Sequence, residues 1–256
     1  MCPFCQSSKT KKIISTDTQE IVACSLCTNA WTIPSPTDIP YEQEDFHAQF
    51  PFHSVRELPQ QWKKCLFMQI SLISSFLHPG ASILEIGCGR GLLLKELEHQ
   101  GFCVFGVEPS KTASQEARKN GLNVITGYFP RSDMIQQFDG VIMSHVLEHV
   151  AKPMELLLQI QKAAPGGVIM FVQSNWRGLM PRVYKSNWYA WAPTQHYWHF
   201  TPKGLTFIIQ KLGWKTQKVE YSGLEHGTRL ISRIGILFNS LADQFHLLAR
   251  ISGNHS

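Results

Sequence analysis

The chain has 256 residues, 43% of them apolar and 17% charged, with a net charge of +5 and a pI near 8.8. That length supports a substantial core, as one domain with an appendage or as two small domains. The positive charge is spread along the sequence rather than gathered into a Lys/Arg block, so it tolerates an anionic substrate without demanding nucleic acid. The most apolar window, residues 66–77 (LFMQISLISSFL), includes Gln69 and falls well short of the ~20 apolar residues that a bilayer span needs. Met1 runs straight into Cys2-Pro-Phe-Cys5 with no charged and apolar leader pattern, so the expected compartment is the cytoplasm. Seven cysteines, an odd count without an export signal, argue against a disulfide framework.

Four of those cysteines open the chain. Cys2-x-x-Cys5 and Cys24-x-x-Cys27 have the spacing of a tetrathiolate zinc ribbon, predicted over residues 1–33. So short a segment cannot build a self-sufficient core, so metal binding would supply its folding free energy, and four thiolates leave no open position for catalysis. The zinc is therefore expected to be structural, with the ribbon clipped onto the next domain. Lys9, Lys11 and Lys12 carry no interleaved aromatics, which gives thin support for an RNA grip. Pro34, Pro36 and Pro40 mark the exit into a linker over residues 34–59.

Apolar side chains at Trp62, Leu66, Ile70, Ile73 and Leu77 predict a helix over 60–77. A short buried strand, Ser82–Ile86, then meets Gly87-Cys-Gly89-Arg-Gly91 and an amphipathic helix that stops at Gly101. Strand, glycine turn and helix form the cofactor arrangement of a doubly wound sheet, because glycine admits close backbone approach and the helix N-terminus offers N–H groups. The next strand, residues 102–107, ends in Glu108, nineteen residues beyond Gly89, where a carboxylate can accept both hydroxyl hydrogens of a ribose. A nucleoside-containing cofactor is implied.

Residues 138–144 (FDGVIMS) read as another strand, with His145 at its carboxyl edge, where open α/β sheets hold their ligands. His145-Val-Leu-Glu148-His149 also fits the H-x-x-E-H pattern of inverted zinc proteases, but that chemistry needs both histidines on one continuous helical face. The strand-to-turn context favours His145 as a lining of the cofactor cleft. Glu148 and His149 are expected to start the following helix, with Pro153 in its first turn.

Together ILEIGCGRG, VFGVEPS and FDGVIMSHVLEHV resemble the successive motifs of class I S-adenosylmethionine-dependent methyltransferases, in the branch of ubiquinone, sugar and natural-product enzymes. The resemblance covers about residues 60–220 and implies an α/β, Rossmann-like, doubly wound, mostly parallel sheet. It implies that Glu85 and the backbone of Gly87, Cys88, Gly89 and Gly91 surround the methionine end of S-adenosylmethionine. Glu108 would hold the ribose with Pro109 beside it, and Ser144 and His145 would border the same cleft. Relatives often place an acid near the adenine after the third strand; Tyr128 follows that strand here, either stacking on the ring or filling the core.

Between Trp176 and Phe200 lie eight aromatic residues with Arg177, Arg182 and Lys185. This segment suits a lid over a small-molecule or glycan-type acceptor, or an insert packed on the sheet. QHYWHFTPKGL, residues 195–205, resembles the H-x-x-HFT segment of the same branch, and Thr201 with Pro202 makes a sound helix start. A hydroxyl nucleophile gains from a base, and histidine has the appropriate pKa; His196 or His199 is the first choice and His145 the next. Leu230, Ile234, Leu237, Leu241, Phe245 and Leu248 form a stripe that predicts a C-terminal amphipathic helix within residues 226–256, for core or homodimer packing or for peripheral membrane contact. The methyltransferase domain is assigned to residues 60–225. Two other readings stay open: an RNA methyltransferase that grips its substrate with the ribbon, and a cofactor-binding scaffold without catalysis.

Overall fold

Short apolar runs alternating with helical stretches fold here as strands alternating with helices. The computed structural model describes residues 1–36, 51–131, 134, 136–223 and 242–253. In chain order the elements are β1 (Thr10–Ser15), β2 (Glu20–Cys24), β3 (Ala30–Ile33), α1 (Gln60–Ser74), β4 (Ser82–Ile86), α2 (Leu92–His99), β5 (Cys103–Glu108), α3 (Lys111–Lys119), β6 (Val124–Thr126), β7 (Gly140–Ser144), α4 (Pro153–Ala163), β8 (Val168–Ser174), α5 (Leu179–Tyr184), β9 (Trp198–His199), α6 (Pro202–Lys211), β10 (Lys215–Ser222) and β11 (Gln244–Arg250). A seven-stranded sheet has the order β10-β11-β8-β7-β4-β5-β6, and a four-stranded one the order β1-β2-β3-β9. The ladders β4–β5, β4–β7 and β5–β6 are parallel. Parallel strands covered on both faces must be apolar throughout, and Val141, Ile142 and Met143 of β7 are fully buried in succession.

Two compact units divide the chain. One comprises Ile39–Val146, Pro153–Phe171 and Leu248–Ser256. Its core joins Ile83 of β4, Leu94 and Leu97 of α2, Ile73 of α1, Ile142 of β7 and Met170 of β8. The helix predicted over 60–77 ends at Ser74, although Leu77 still packs on that core. Part of the expected linker is also core: Leu58 is 7% exposed, and Phe52 and Val55 pack beside it. Pro40 lies outside the described residues.

The other unit comprises Met1–Asp38, Leu147–Lys152 and Val172–Leu247. Its strands β1, β2 and β3 form the antiparallel ribbon that the cysteine spacing predicts. The ribbon does not stop at residue 33 as a separate clip, because β9 continues its ladder, pairing Ala30 with His199 and Trp31 with Trp198. One apolar cluster unites Ile21, Ala23 and Ala30 of the ribbon with Met180, Trp188, Ala190 and Trp191. Burial of Trp188 and Trp191, at 3% and 4% exposed, makes this part of the aromatic segment core rather than lid. A tryptophan pair confers too much apolar area to leave in water when the short ribbon has so little core of its own.

The C-terminal helix requires correction. Residues 224–241 lie outside the described residues, but Phe245 and Leu248 belong to strand β11, whose residues Gln244–Ala249 are all buried. Glu148 and His149 likewise do not begin α4; they occupy a separate 3-10 turn, Leu147–His149.

Candidate active site

The glycine turn after β4 is built from backbone that other residues rarely adopt. Gly87, Gly89 and Gly91 have φ of 72°, 54° and 77°. A Cβ on Gly87 would stand 2.5 Å from Val146 Cγ2, and one on Gly91 would strike Leu122 Cδ1. Sterics therefore demand glycine at both positions independently of any ligand. The Gly87 N–H donates to the Val107 carbonyl at 2.8 Å, tying the turn to β5.

The tips of β4 and β5 converge on one carboxylate. Glu108, 1% exposed, accepts the Gly89 N–H at Oε2 and the Ser110 N–H at Oε1, both at 2.8 Å. It thereby braces the glycine turn against the start of α3, where Ser110 Oγ accepts the Ala113 N–H as the cap. Glu85, on β4, is also buried, and its Oε2 has no hydrogen-bond partner. Burial, and then the charge of Glu108, pushes the Glu85 carboxyl well above the usual carboxylate range. A buried acceptor oxygen of this kind calls for a cationic N–H donor from a ligand. Glu85, the glycine cradle and Glu108 thus fit a molecule with an ammonium group at one end and a sugar diol further along.

Neighbouring strand tips complete the rim. Cys88 contributes only its backbone there, because its side chain is in the core, where a Cβ on Gly106 would come within 2.5 Å of its Sγ. Burial, reinforced by the charges of Glu85 and Glu108, raises the Cys88 thiol well above its ordinary value. Thr126 stands in register with Glu108, and the Gly127 N–H bonds the Glu108 carbonyl at 3.0 Å. Tyr128 follows at 64% exposure, so it is not a core filler. Pro109 and Ser144 are half-buried. β7 runs level with β4 through the pair Ile86–Met143, which puts Ser144 and His145 just beyond the glycine turn's first residue. His145 holds φ at 53°, a left-handed conformation that is strained for a residue with a side chain, and such strain concentrates at functional sites.

The two downstream histidines have different environments. His199 is 4% exposed, and its Nε2 lies 3.1 Å from Thr32 Oγ1. The Thr32 hydroxyl gives its single hydrogen to the His196 carbonyl at 2.7 Å, so His199 Nε2–H is the donor to Thr32. Burial, then the neighbouring His196, lowers the His199 pKa well below 6.5, while Glu148 opposes the shift. His199 thus lies buried on β9 with its Nε2–H turned to Thr32. His196 is half-buried, with Nδ1 at 3.0 Å from the Ala190 carbonyl and its ring edge-to-face with His149 at 4.6 Å. Sequence reasoning missed Thr32 and Gln173, since no local pattern marks residues that matter only through distant partners.

The four N-terminal cysteines come together as their spacing predicts. Cys2 and Cys27 have their sulfurs 3.5 Å apart, as do Cys5 and Cys24, and all four sulfurs lie within 4.8 Å of one another. The Leu26 N–H points to Cys24 Sγ at 3.3 Å and Asn29 Nδ2 to Cys27 Sγ at 3.7 Å. Such N–H donors suit sulfurs that carry thiolate charge around a soft cation.

Comparison with known proteins agrees with this geometry. A family model described as a methyltransferase domain matches residues 55–219. The ubiquinone biosynthesis O-methyltransferase of Maricaulis maris is 31% identical over 177 residues, which cover 66% of this chain and 66% of that protein. The chain thus spans just under two thirds of that relative's length. A SAM-dependent methyltransferase from Archaeoglobus fulgidus shares the fold with a TM-score of 0.57 at 22% identity, over 80% of this chain and all (100%) of the other. The plantazolicin methyltransferase BpumL, solved in complex with SAH, superposes with a TM-score of 0.59 at 18% identity, over 83% of this chain and 92% of its own. The matched domain and the converging strand tips lead to one conclusion: the chain belongs to the class I S-adenosylmethionine-dependent methyltransferases.

Proposed function

We propose that the chain transfers a methyl group from S-adenosylmethionine to a hydroxyl of a small molecule or glycan precursor and releases S-adenosylhomocysteine. The observation that carries this reading is the Gly89 N–H to Glu108 bond, which sets a ribose-binding carboxylate against the glycine turn, with the partnerless Glu85 oxygen on the adjoining strand. When bound, S-adenosylmethionine supplies a methyl carbon already activated by its sulfonium. Glu85 is suited to its amino group, Glu108 to its ribose hydroxyls, and the exposed ring of Tyr128 to its adenine face. The choice of a hydroxyl acceptor follows from the relatives named as ubiquinone O-methyltransferases.

His145 is our choice for the base. It projects from a strained turn at the β7 tip beside the cofactor cradle, and a histidine there can take the hydroxyl proton as the methyl arrives. The protein's main contribution is in-line positioning of the acceptor oxygen. The four cysteines hold a structural zinc, supported by their sulfur spacing. The test compares wild type with His145→Gln for turnover on phenols, sugar nucleotides and RNA, alongside calorimetry with S-adenosylhomocysteine. Turnover on a hydroxyl acceptor should fall about 100-fold or more with cofactor affinity unchanged. Methylation of RNA alone would overturn the acceptor class, and an unaltered rate would remove His145 from the chemistry.

A further inference from the structure

Beyond the four cysteines, one other group of side chains among the described residues has the chemistry of a metal centre. Glu148, His149 and His196 each offer a ligand atom, and the three atoms lie within 4.8 Å of one another. Glu148 and His149 share the 3-10 turn Leu147–His149, whereas His196 comes from the loop before β9. That loop is pinned to the turn by the Tyr197 N–H on the Glu148 carbonyl at 2.9 Å and by Trp198 Nε1–H on the Val150 carbonyl at 2.7 Å. These two contacts hold the loop on the turn, and the His149 and His196 rings meet edge-to-face at 4.6 Å.

The protonation of His196 suits ligation. A carbonyl only accepts, so the 3.0 Å contact with Ala190 fixes the proton on Nδ1 and places the imidazole lone pair on Nε2. An N–H to backbone carbonyl contact of this kind is the usual outer support of a metal-bound histidine. Glu148 is 3% exposed, and a carboxylate in so buried a place is a hard oxygen donor suited to a divalent cation. A second, independent feature points to a ligand. Glu148 and His196 also line a cavity of about 10 Å³, room for about one water-sized atom. Gln173 and Trp188 line the same cavity; both residues are at least nine-tenths buried, and neither Gln173 Nε2 nor Trp188 Nε1 has a hydrogen-bond acceptor. Two N–H donors without acceptors beside a metal triad are suited to an oxygen with anionic character.

We propose that Glu148, His149 and His196 form a second metal site, a two-histidine, one-carboxylate centre for a divalent first-row transition ion, whose open positions take an oxygen ligand facing Gln173 and Trp188. Two imidazoles and one carboxylate are the donor set of such ions, and three protein ligands leave coordination positions open. Ligand atoms around one ion stand about 3 to 3.5 Å apart, so an inward shift of about 1 Å closes the set. Use of the ion to anchor an acceptor hydroxyl or carboxylate rests on the methyl-transfer reading; the ion's binding does not.

The test titrates Co²⁺ into the purified protein with its cysteine site already filled with zinc, followed by calorimetry and visible absorption. Wild type should bind one additional Co²⁺ per chain, with a spectrum free of thiolate charge transfer. His149→Gln and His196→Gln should each weaken that event more than 100-fold. Both variants should keep their zinc, their thermal midpoint within a few degrees and their affinity for S-adenosylhomocysteine. Absence of a second cobalt in wild type, or equal binding in both variants, overturns the site. Cobalt binding that persists without any methyl transfer leaves the metal site standing and removes only the proposed reaction.

Discussion

Glu108 offers the sharpest test of how the cofactor cradle is held, because one carboxylate braces the glycine turn and is the proposed anchor for the ribose. Glu108→Gln keeps one acceptor oxygen but turns the other into an NH₂, which faces either the Gly89 or the Ser110 N–H now bonded at 2.8 Å. Orphaning one buried N–H costs about 1 to 3 kcal/mol, so the ligand-free protein should melt roughly 2 to 12 °C lower. Ribose hydroxyls that donate to a charged acceptor contribute about 1.5 to 3 kcal/mol each, and a neutral amide retains part of one. A net loss of about 2 to 3 kcal/mol corresponds to a roughly 30- to 150-fold weaker Kd for S-adenosylhomocysteine. Calorimetry and differential scanning read the two effects separately. Glu108→Asp, one methylene shorter, should retract from Gly89 and lose both. A lowered melting point with affinity within twofold of wild type would make Glu108 a brace alone and refute the ribose assignment.

Glu85→Gln should weaken S-adenosylhomocysteine in the same calorimetry while leaving the ligand-free protein as stable or more so near neutral pH. The sign follows from a carboxyl whose folded-state pKa is raised: stability is full below its ordinary 4.5 and declines as pH climbs from there toward the folded value. Scanning wild type and Glu85→Gln from pH 4 to 8 should show that decline only in wild type, and parallel curves would count against it. Gly91→Ala should cost about 2 to 4 kcal/mol through its backbone angle and the Leu122 overlap. Gly80→Ala, at φ +91° with nothing within 4 Å, should cost less than about 1.5 kcal/mol, and equal melting points would show that the packing argument fails. Purified protein should retain one zinc through dialysis, and Cys27→Ser should release it and lower the melting point; a zinc-free wild type with unchanged stability would discard the ribbon metal.

Local features were readable in advance where the chemistry is local. The glycine turn, the acid at the end of β5 and the paired cysteines each announce themselves within a few residues, and their spacing along the chain is set by strand and helix lengths. The fate of His199 was not readable, because its partner Thr32 is 167 residues away and nothing near His199 predicts burial against a ribbon strand. The stripe through Phe245 and Leu248 misled for a different reason. A strand covered on both faces is apolar throughout, so residues spaced by three or four can always be picked from it. His145 and His149, four apart, fit a metal-ligand spacing that the strand-to-turn context argued against; the turn after β7 separates them, and the metal-competent group joins His149 to His196 and Glu148.

The ladder from Ala30 to His199 has a bearing on biosynthesis. When β3 leaves the ribosome its outer edge has no strand to close it, and its partner β9 emerges only after α1 to α5 and the strands between them. Contacts so remote in sequence form late and slow the maturation of the whole. Early capture of an ion by the four thiolates would guard that exposed edge against pairing with other nascent chains during the wait.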